Sequence, residues 1–183
     1  DRFGLRVIHG WGMTETAPVA TVNYIKSELA GLSRVALYAV RAKQGVPLPL
    51  VEVRASTGRG DAPGNGETMG ELEVRGPWIA SGYHDLEEES GRWTDDGWFR
   101  TGDVVTIDGH GYVKITDRIK DLVKSGGEWI SSVDLENALT GHPKVAEAGV
   151  IPVPDAKWGE RPLAVIVLKP GQTATPDELR AHL

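Results

Sequence analysis

The 183-residue sequence contains no cysteine, which excludes disulfides, thiolate metal sites and a cysteine nucleophile and leaves the redox compartment unspecified. It also lacks an excess of positive charge. Twenty Lys+Arg stand against 26 Asp+Glu, for a formal net charge of −6, so no general electrostatic footprint for nucleic acid or an anionic membrane is present. No apolar run approaches the ~20 residues of a membrane-spanning helix. Internal repeats and low-complexity tracts are missing too. The opening Asp1-Arg2-Phe3-Gly4 has neither an initiator Met nor a signal-peptide apolar region, and the predicted helix after Thr175 stops at Leu183 barely two turns in. Both ends therefore read as cut.

What is present is the balance of a globular protein, 40% hydrophobic and 25% charged, with a cytoplasmic location as the default expectation. Its 23 Gly and six Trp suggest tight turns with large aromatic anchors, a usual composition for ligand sites built on loops. The run from Leu5 to Ile8 predicts a strand leading into a loop at Gly10-Trp11-Gly12. Apolar residues at Ile25, Leu29, Leu32, Ala36, Ala39 and Val40 predict a helix over 25–42, closed by Gly45 and Pro47. Strands are expected at Leu50 to Val53 and Gly70 to Gly76, flanking an exposed loop over 57–66. Val104 to Ile107 and Tyr112 to Thr116, joined by Asp108-Gly109-His110-Gly111, predict a β-hairpin. Alternation resumes over Ile119 to Val123 before Gly126-Gly127. Ser131 and Ser132, with Asp134 and Glu136 behind them, cap a helix ending near Gly141. Two strands, Val145 to Val153 and Pro162 to Lys169, and a helix begun by Thr175-Pro176 complete an α+β unit, so a boundary is expected at Asp117 to Lys120.

Three segments could support chemistry. Gly10-Trp11-Gly12-Met13-Thr14-Glu15-Thr16 combines glycines that let backbone N–H groups approach a phosphate, a hydroxyl that can bond one, and a carboxylate able to hold Mg²⁺; a turn with Thr14 as helix cap is the plainer alternative. Thr94 to Asp103 places aromatics and a carboxylate where a strand begins, and such a carboxylate can accept both hydroxyls of a ribose or simply satisfy local amides. Arg118, Lys120 and Lys124 form a cationic stripe on one face if the segment is extended, suited to a polyphosphate. A solvated linker paired to Asp117 and Asp121 is the other reading.

Taken in series, Trp11-Gly12-Met13-Thr14-Glu15, Gly70-Glu71-Leu72-Glu73-Val74-Arg75-Gly76, Gly97-Trp98-Phe99-Arg100-Thr101-Gly102-Asp103 and Asp117 to Glu128 resemble the adenylate-forming superfamily of acyl-CoA synthetases, adenylation domains and luciferases, in that family's order and over essentially the whole chain. Ser125 to Asn137, His142-Pro143 and Lys157 to Pro162 are similar to bacterial medium- and long-chain fatty-acyl-CoA synthetases, and methylthiopropionate-CoA ligases share much of the pattern. The resemblance implies an α+β fragment: 1–117 as the β-rich C-terminal portion of a large AMP-binding domain, 118–120 as hinge, and 121–183 as an incomplete, small, mobile α+β lid. It implies ATP, Mg²⁺ and coenzyme A as participants, with Gly10 and Trp11 lining the adenine pocket, Thr14 on the α-phosphate and Glu15 on the metal. Asp103 would hold the ribose with Arg118, Lys120 would serve as pivot, and Lys124 and Trp129 would touch nucleotide or pantetheine from the lid. Gly126 and Gly127 would leave room for a pantetheine arm.

The implied reaction is ligation of a carboxylic acid, chiefly a medium- or long-chain fatty acid, to CoA through acyl-AMP. The family's Ser/Thr/Gly-rich phosphate loop and its C-terminal Lys are not among the residues, so the 183 residues alone are expected to be inactive as a ligase. A peptide-synthetase adenylation domain and a non-catalytic nucleotide-binding module stay open as alternatives, as does a homodimer.

Overall fold

A computed structural model describes residues 3–5, 7–84 and 91–183. The chain separates into two compact units, 1–115 and 116–183, with the division between Ile115 and Thr116, just ahead of the 118–120 segment. Both are mixed α+β and mostly sheet.

The first unit begins with β1 (Gly10–Trp11), β2 (Thr21–Val22) and β3 (Val46–Pro47), which form a small antiparallel sheet in that order. The expected strand over Leu5 to Ile8 is absent: the described Leu5, Val7 and Ile8 have no regular structure, while Arg6 lies outside the described residues. Pairing starts instead inside the predicted loop, because Gly10 and Trp11 find partners in Val22 and Thr21. The predicted helix over 25–42 is also corrected. A single 3-10 turn occupies Ser27–Leu29, and α1 (Arg34–Arg41) begins only where the Ser33 hydroxyl accepts the Ala36 amide at 3.3 Å. Gly31 and the Ser33 cap divide the segment, since both favour a boundary over a helix interior. Its apolar spacing still has meaning, for Leu29 is buried with Val46 and Tyr112, and Ile25 and Val40 pack against them.

The larger sheet runs β4 (Glu52–Ser56), β5 (Gly70–Arg75), β6 (Phe99–Ile107) and β7 (Val113–Arg118) in sequence order, the last three residues of β7 counting with the second unit. β4 starts two residues later than expected, because Leu50 takes a left-handed φ of 71° that a strand cannot accommodate. Ala55, Leu72, Val74, Phe99, Val105 and Val113 make the core. Opposite that apolar layer, Glu73 is 2% exposed and is paired with Arg54 Nε at 2.6 Å and Arg100 Nε at 3.4 Å. Arg54 also reaches Asp96 and, with Arg75, lies over the Trp98 ring at 4.4 and 4.6 Å. A buried carboxylate is tolerated because two guanidiniums satisfy it. The β6–β7 hairpin forms as expected, with Asp108 accepting the amides of His110 and Tyr112 and the Lys43 ammonium.

In the second unit, β8 (Val123–Ser125) and β9 (Glu128–Ile130) form a hairpin that the sequence reading missed, followed by α2 (Ser132–Thr140), β10 (Val145–Asp155), β11 (Gly159–Leu168) and α3 (Pro176–Arg180). The sheet order is β10-β11-β8-β9. The Ser131 hydroxyl caps α2 through the Asp134 amide at 3.1 Å and donates to the Thr116 carbonyl at 2.9 Å. Buried Asp117 accepts both the amide and the hydroxyl of Ser132, a favourable place for negative charge at a helix N-terminus. These bonds bring Thr116 and Asp117 into the second unit.

Candidate functional site

Asp103 is the most constrained of the expected site residues. It does not stand where a strand begins but inside β6, at an irregularity: Glu73 pairs with Arg100 and Glu71 with Val104, so Thr101, Gly102 and Asp103 face Leu72. The lost ladder bonds are replaced locally. Thr101 Oγ1 donates to the Leu72 carbonyl at 2.8 Å and accepts the Asp103 amide at 3.1 Å, and the Gly102 amide donates to Glu71 at 3.2 Å. A bulge of this kind re-aims a side chain, and the carboxylate so placed is 6% exposed and accepts the Trp11 indole N–H at 2.8 Å. Trp11 and Asp103 are thereby brought together from β1 and β6.

After Trp11 the chain turns sharply. A Cβ on Gly12 would lie 1.9 Å from the Pro18 carbonyl oxygen, so close backbone approach is enough to require glycine here, without any phosphate. Thr14, Glu15 and Thr16 then form one 3-10 turn. Thr14 is not its cap. The capping hydroxyl belongs to buried Thr16, which accepts the Met13 amide at 2.8 Å, while Thr14 is exposed and its hydroxyl has no hydrogen bond to protein among the described residues. Half-buried Glu15 accepts the Tyr83 hydroxyl. Tyr83 packs edge-on against Trp93, and Trp93 lies tilted against Phe99, which ties Glu15 to the core of the larger sheet. Sequence reasoning missed Tyr83 and Trp93, since no local motif links residues so far apart in the chain, and it gave the cap to Thr14 where Thr16, three residues from Met13, supplies it.

Half-buried Glu71, beside the bulge, has its pKa raised by burial and by the charge of Glu73, with the Gly102 amide opposing. No group of three or more metal-ligating side chains occurs among the described residues. A lone carboxylate nevertheless fits Mg²⁺ arriving with a nucleotide, because that ion keeps several waters and usually takes one or two carboxylates plus phosphate oxygens.

In the second unit the predicted cationic stripe is not one extended segment. Arg118 ends β7, Lys120 lies in a turn whose Asp121 and Leu122 amides donate to the Arg118 carbonyl, and Lys124 belongs to β8. The break follows from this turn, which ends the period-two alternation. All three side chains are exposed. Lys124 stands directly opposite Trp129 across the β8–β9 pair. At the hairpin tip, Gly126 has a φ of 62° and its Cβ would meet the Trp158 ring at 2.8 Å, so the turn and that indole account for this glycine.

Residues 1–84 match the AMP-binding enzyme family and residues 134–183 the AMP-binding enzyme C-terminal domain. The chain is 52% identical over 185 residues to a long-chain-fatty-acid–CoA ligase of Thermus thermophilus, covering 100% of this chain and 34% of the relative. It is 46% identical over 182 residues to a 3-methylmercaptopropionyl-CoA ligase of Ruegeria pomeroyi, covering 99% and 33%. Among solved structures, ATP-bound MatB from Rhodopseudomonas palustris superposes with a TM-score of 0.77 at 34% identity, over 98% of this chain and 34% of that one. The chain thus spans about a third of the length of the relatives it matches.

Proposed function

Because this chain belongs to the AMP-binding family of adenylate-forming enzymes, we propose that it is the ribose- and phosphate-contacting part of an ATP-dependent fatty-acid:CoA ligase. In the first half-reaction the carboxylate oxygen of the acid attacks the α-phosphorus of ATP, giving acyl-AMP and releasing pyrophosphate. In the second, the CoA thiolate attacks the acyl carbonyl and AMP departs, leaving the thioester. Such chemistry asks a protein for positioning and charge stabilisation more than for a nucleophile.

The observation that supports this reading best is the buried Asp103 carboxylate, held at a bulge and bonded to Trp11. Two acceptor oxygens suit a cis-diol, and burial strengthens such bonds. In this reading Asp103 accepts the ribose hydroxyls with Arg118 assisting, Gly10 and Trp11 border the adenine, and the exposed Thr14 hydroxyl donates to the α-phosphate. Glu15, fixed by Tyr83, would ligate Mg²⁺, which when bound offsets phosphate charge. Residues 118–120 are the hinge between the large domain and the lid, with Lys120 as pivot, and a pivoting lid lets different faces serve the two half-reactions. Lys124 and Trp129, facing each other across β8–β9, meet nucleotide or pantetheine from the lid. No helix among the described residues is long and apolar enough to cross a membrane; a cytoplasmic location is part of the proposal.

The identity with the Ruegeria enzyme favours one second reading, a 3-methylmercaptopropionate substrate. An assay of the full-length protein with short, medium and long fatty acids and 3-methylmercaptopropionate, following both pyrophosphate and acyl-CoA, separates the two. Fastest turnover is expected with a medium or long fatty acid. Robust acyl-AMP formation with no thioester would overturn the ligase reading.

A further inference from the structure

We infer that Trp11 is a positioning residue for the carboxylate of Asp103, acting through its indole N–H rather than only through its ring face. The inference rests on the reading of Asp103 as the ribose acceptor. A carboxylate has a broad, roughly two-fold freedom about its terminal torsion, so a bulge that aims Asp103 does not by itself fix the plane of its two oxygens. Trp11 Nε1 lies 2.8 Å from Oδ2, which fixes one of them. Indole N–H is a donor only, so the bond specifies an acceptor at that point and matches an ionised carboxylate, the strong form of the interaction.

The indole is itself held independently of Asp103. The Trp11 backbone pairs with Thr21, and its carbonyl accepts the Ala20 amide at 3.0 Å. Its ring packs on the cluster of Phe99, Val105 and their neighbours. Backbone irregularity in β6, supported by Thr101, and an N–H presented from β1 therefore both act on Asp103. A side chain that merely stacked on a nucleobase would not need its N–H directed at this oxygen.

Two roles of Trp11 are separable by choosing the nucleotide. Equilibrium binding of ATP and of 2′,3′-dideoxy-ATP is to be measured on the full-length protein and on its Trp11→Phe, Asp103→Ala and doubly substituted forms. Phe keeps an apolar ring and loses the donor. Trp11→Phe is expected to weaken ATP by about tenfold or more, the scale of a hydrogen bond to a charged group, and to leave dideoxy-ATP within about twofold. In the Asp103→Ala background it should add no ribose-dependent loss. Should Phe prevent folding, site-specific replacement of Trp11 by 3-benzothienylalanine, which exchanges the N–H for sulfur with little change of shape, gives the same comparison. Equal weakening of both nucleotides, or no weakening, overturns the inference while the role of Asp103 stands. If Asp103→Ala leaves the preference for the ribose hydroxyls intact, the reading of Asp103 falls and the inference falls with it.

Discussion

The two units hold their candidate site residues in opposite ways. In the first, the candidate residues are anchored by others: the Asp103 carboxylate by Trp11 and its amide by Thr101, Glu15 by Tyr83, and the turn around Thr14 by the buried Thr16 hydroxyl. In the second, Lys120 and Lys124 are exposed on a turn and a short hairpin, and neither ammonium is paired in an ion pair or side-chain hydrogen bond among the described residues. Preorganised acceptors suit a partner whose geometry is constant throughout a reaction, as a ribose is. Solvated cations on short elements suit contacts that are made at one stage and released at another. Under the proposed function, the contrast would give one unit a rigid acceptor and the other exchangeable contacts.

The largest expected effect tests the rigid side. Glu73→Ala should destabilise the protein by about 3 kcal/mol, at the low end for a broken buried ion pair, because Arg54 keeps Asp96 and both guanidiniums of the Glu73 pair reach solvent. Lys124→Ala should shift stability by less than about 0.5 kcal/mol. Urea denaturation followed by tryptophan fluorescence measures both. Comparable losses from the two substitutions would dissolve the contrast.

A smaller effect concerns acid. Burial opposes ionisation of Asp108, but the Lys43 ammonium and the Tyr112 and His110 amides outweigh it and lower its pKa. A lowered carboxylate contributes stability above its unfolded value, about 3.9 for aspartate, and that contribution is lost as pH falls through the folded value. Asp108→Asn should therefore cost about 1.5 kcal/mol near neutrality and flatten the acid limb of a melting-temperature profile below about pH 4. Glu178 of the second unit is also lowered, by its bond to Lys144, yet it is solvated, so Glu178→Gln should change that limb less. An equal or larger change from Glu178→Gln would place the acid-sensitive contact in the wrong unit.

Much of the architecture was legible because its signals are local. The hairpin around Asp108 to Gly111, the Ser131 cap of α2, the long β10 and β11 strands and the Thr175 cap of α3 are each specified within a few consecutive residues. Misreadings arose where a distant partner decides. Gly10 and Trp11 become a strand only because Val22 and Thr21 lie beside them, and the apolar spacing over 25–42 describes a core face shared by a 3-10 turn and a short helix. For the site, residue types and motif order pointed to Trp11, Glu15 and Asp103. The bonds that fix those side chains were invisible, since Tyr83 reaches Glu15 across 68 positions and Trp11 reaches Asp103 across 92.

The smallest expected effect bears on the bulge itself. Glu71 accepts the Gly102 amide, yet burial first, and the charge of Glu73 next, raise its pKa. A raised carboxylate binds its proton more tightly when folded. Its stabilising contribution is complete below the unfolded value, about 4.3 for glutamate, and is lost as pH rises from there through the raised folded value. Glu71→Gln keeps an acceptor oxygen for Gly102 and removes the charge. It should raise stability at pH 7 by less than about 1 kcal/mol, since a half-exposed group is screened by solvent, and leave stability near pH 4 unchanged. Thermal melts at the two pH values test the sign. A loss at pH 7, accompanied by weaker ATP binding in the full-length protein, would mean that the negative charge of Glu71 is needed to hold Gly102 in place. The rigidity around Asp103 would then depend on ionisation as well as on packing.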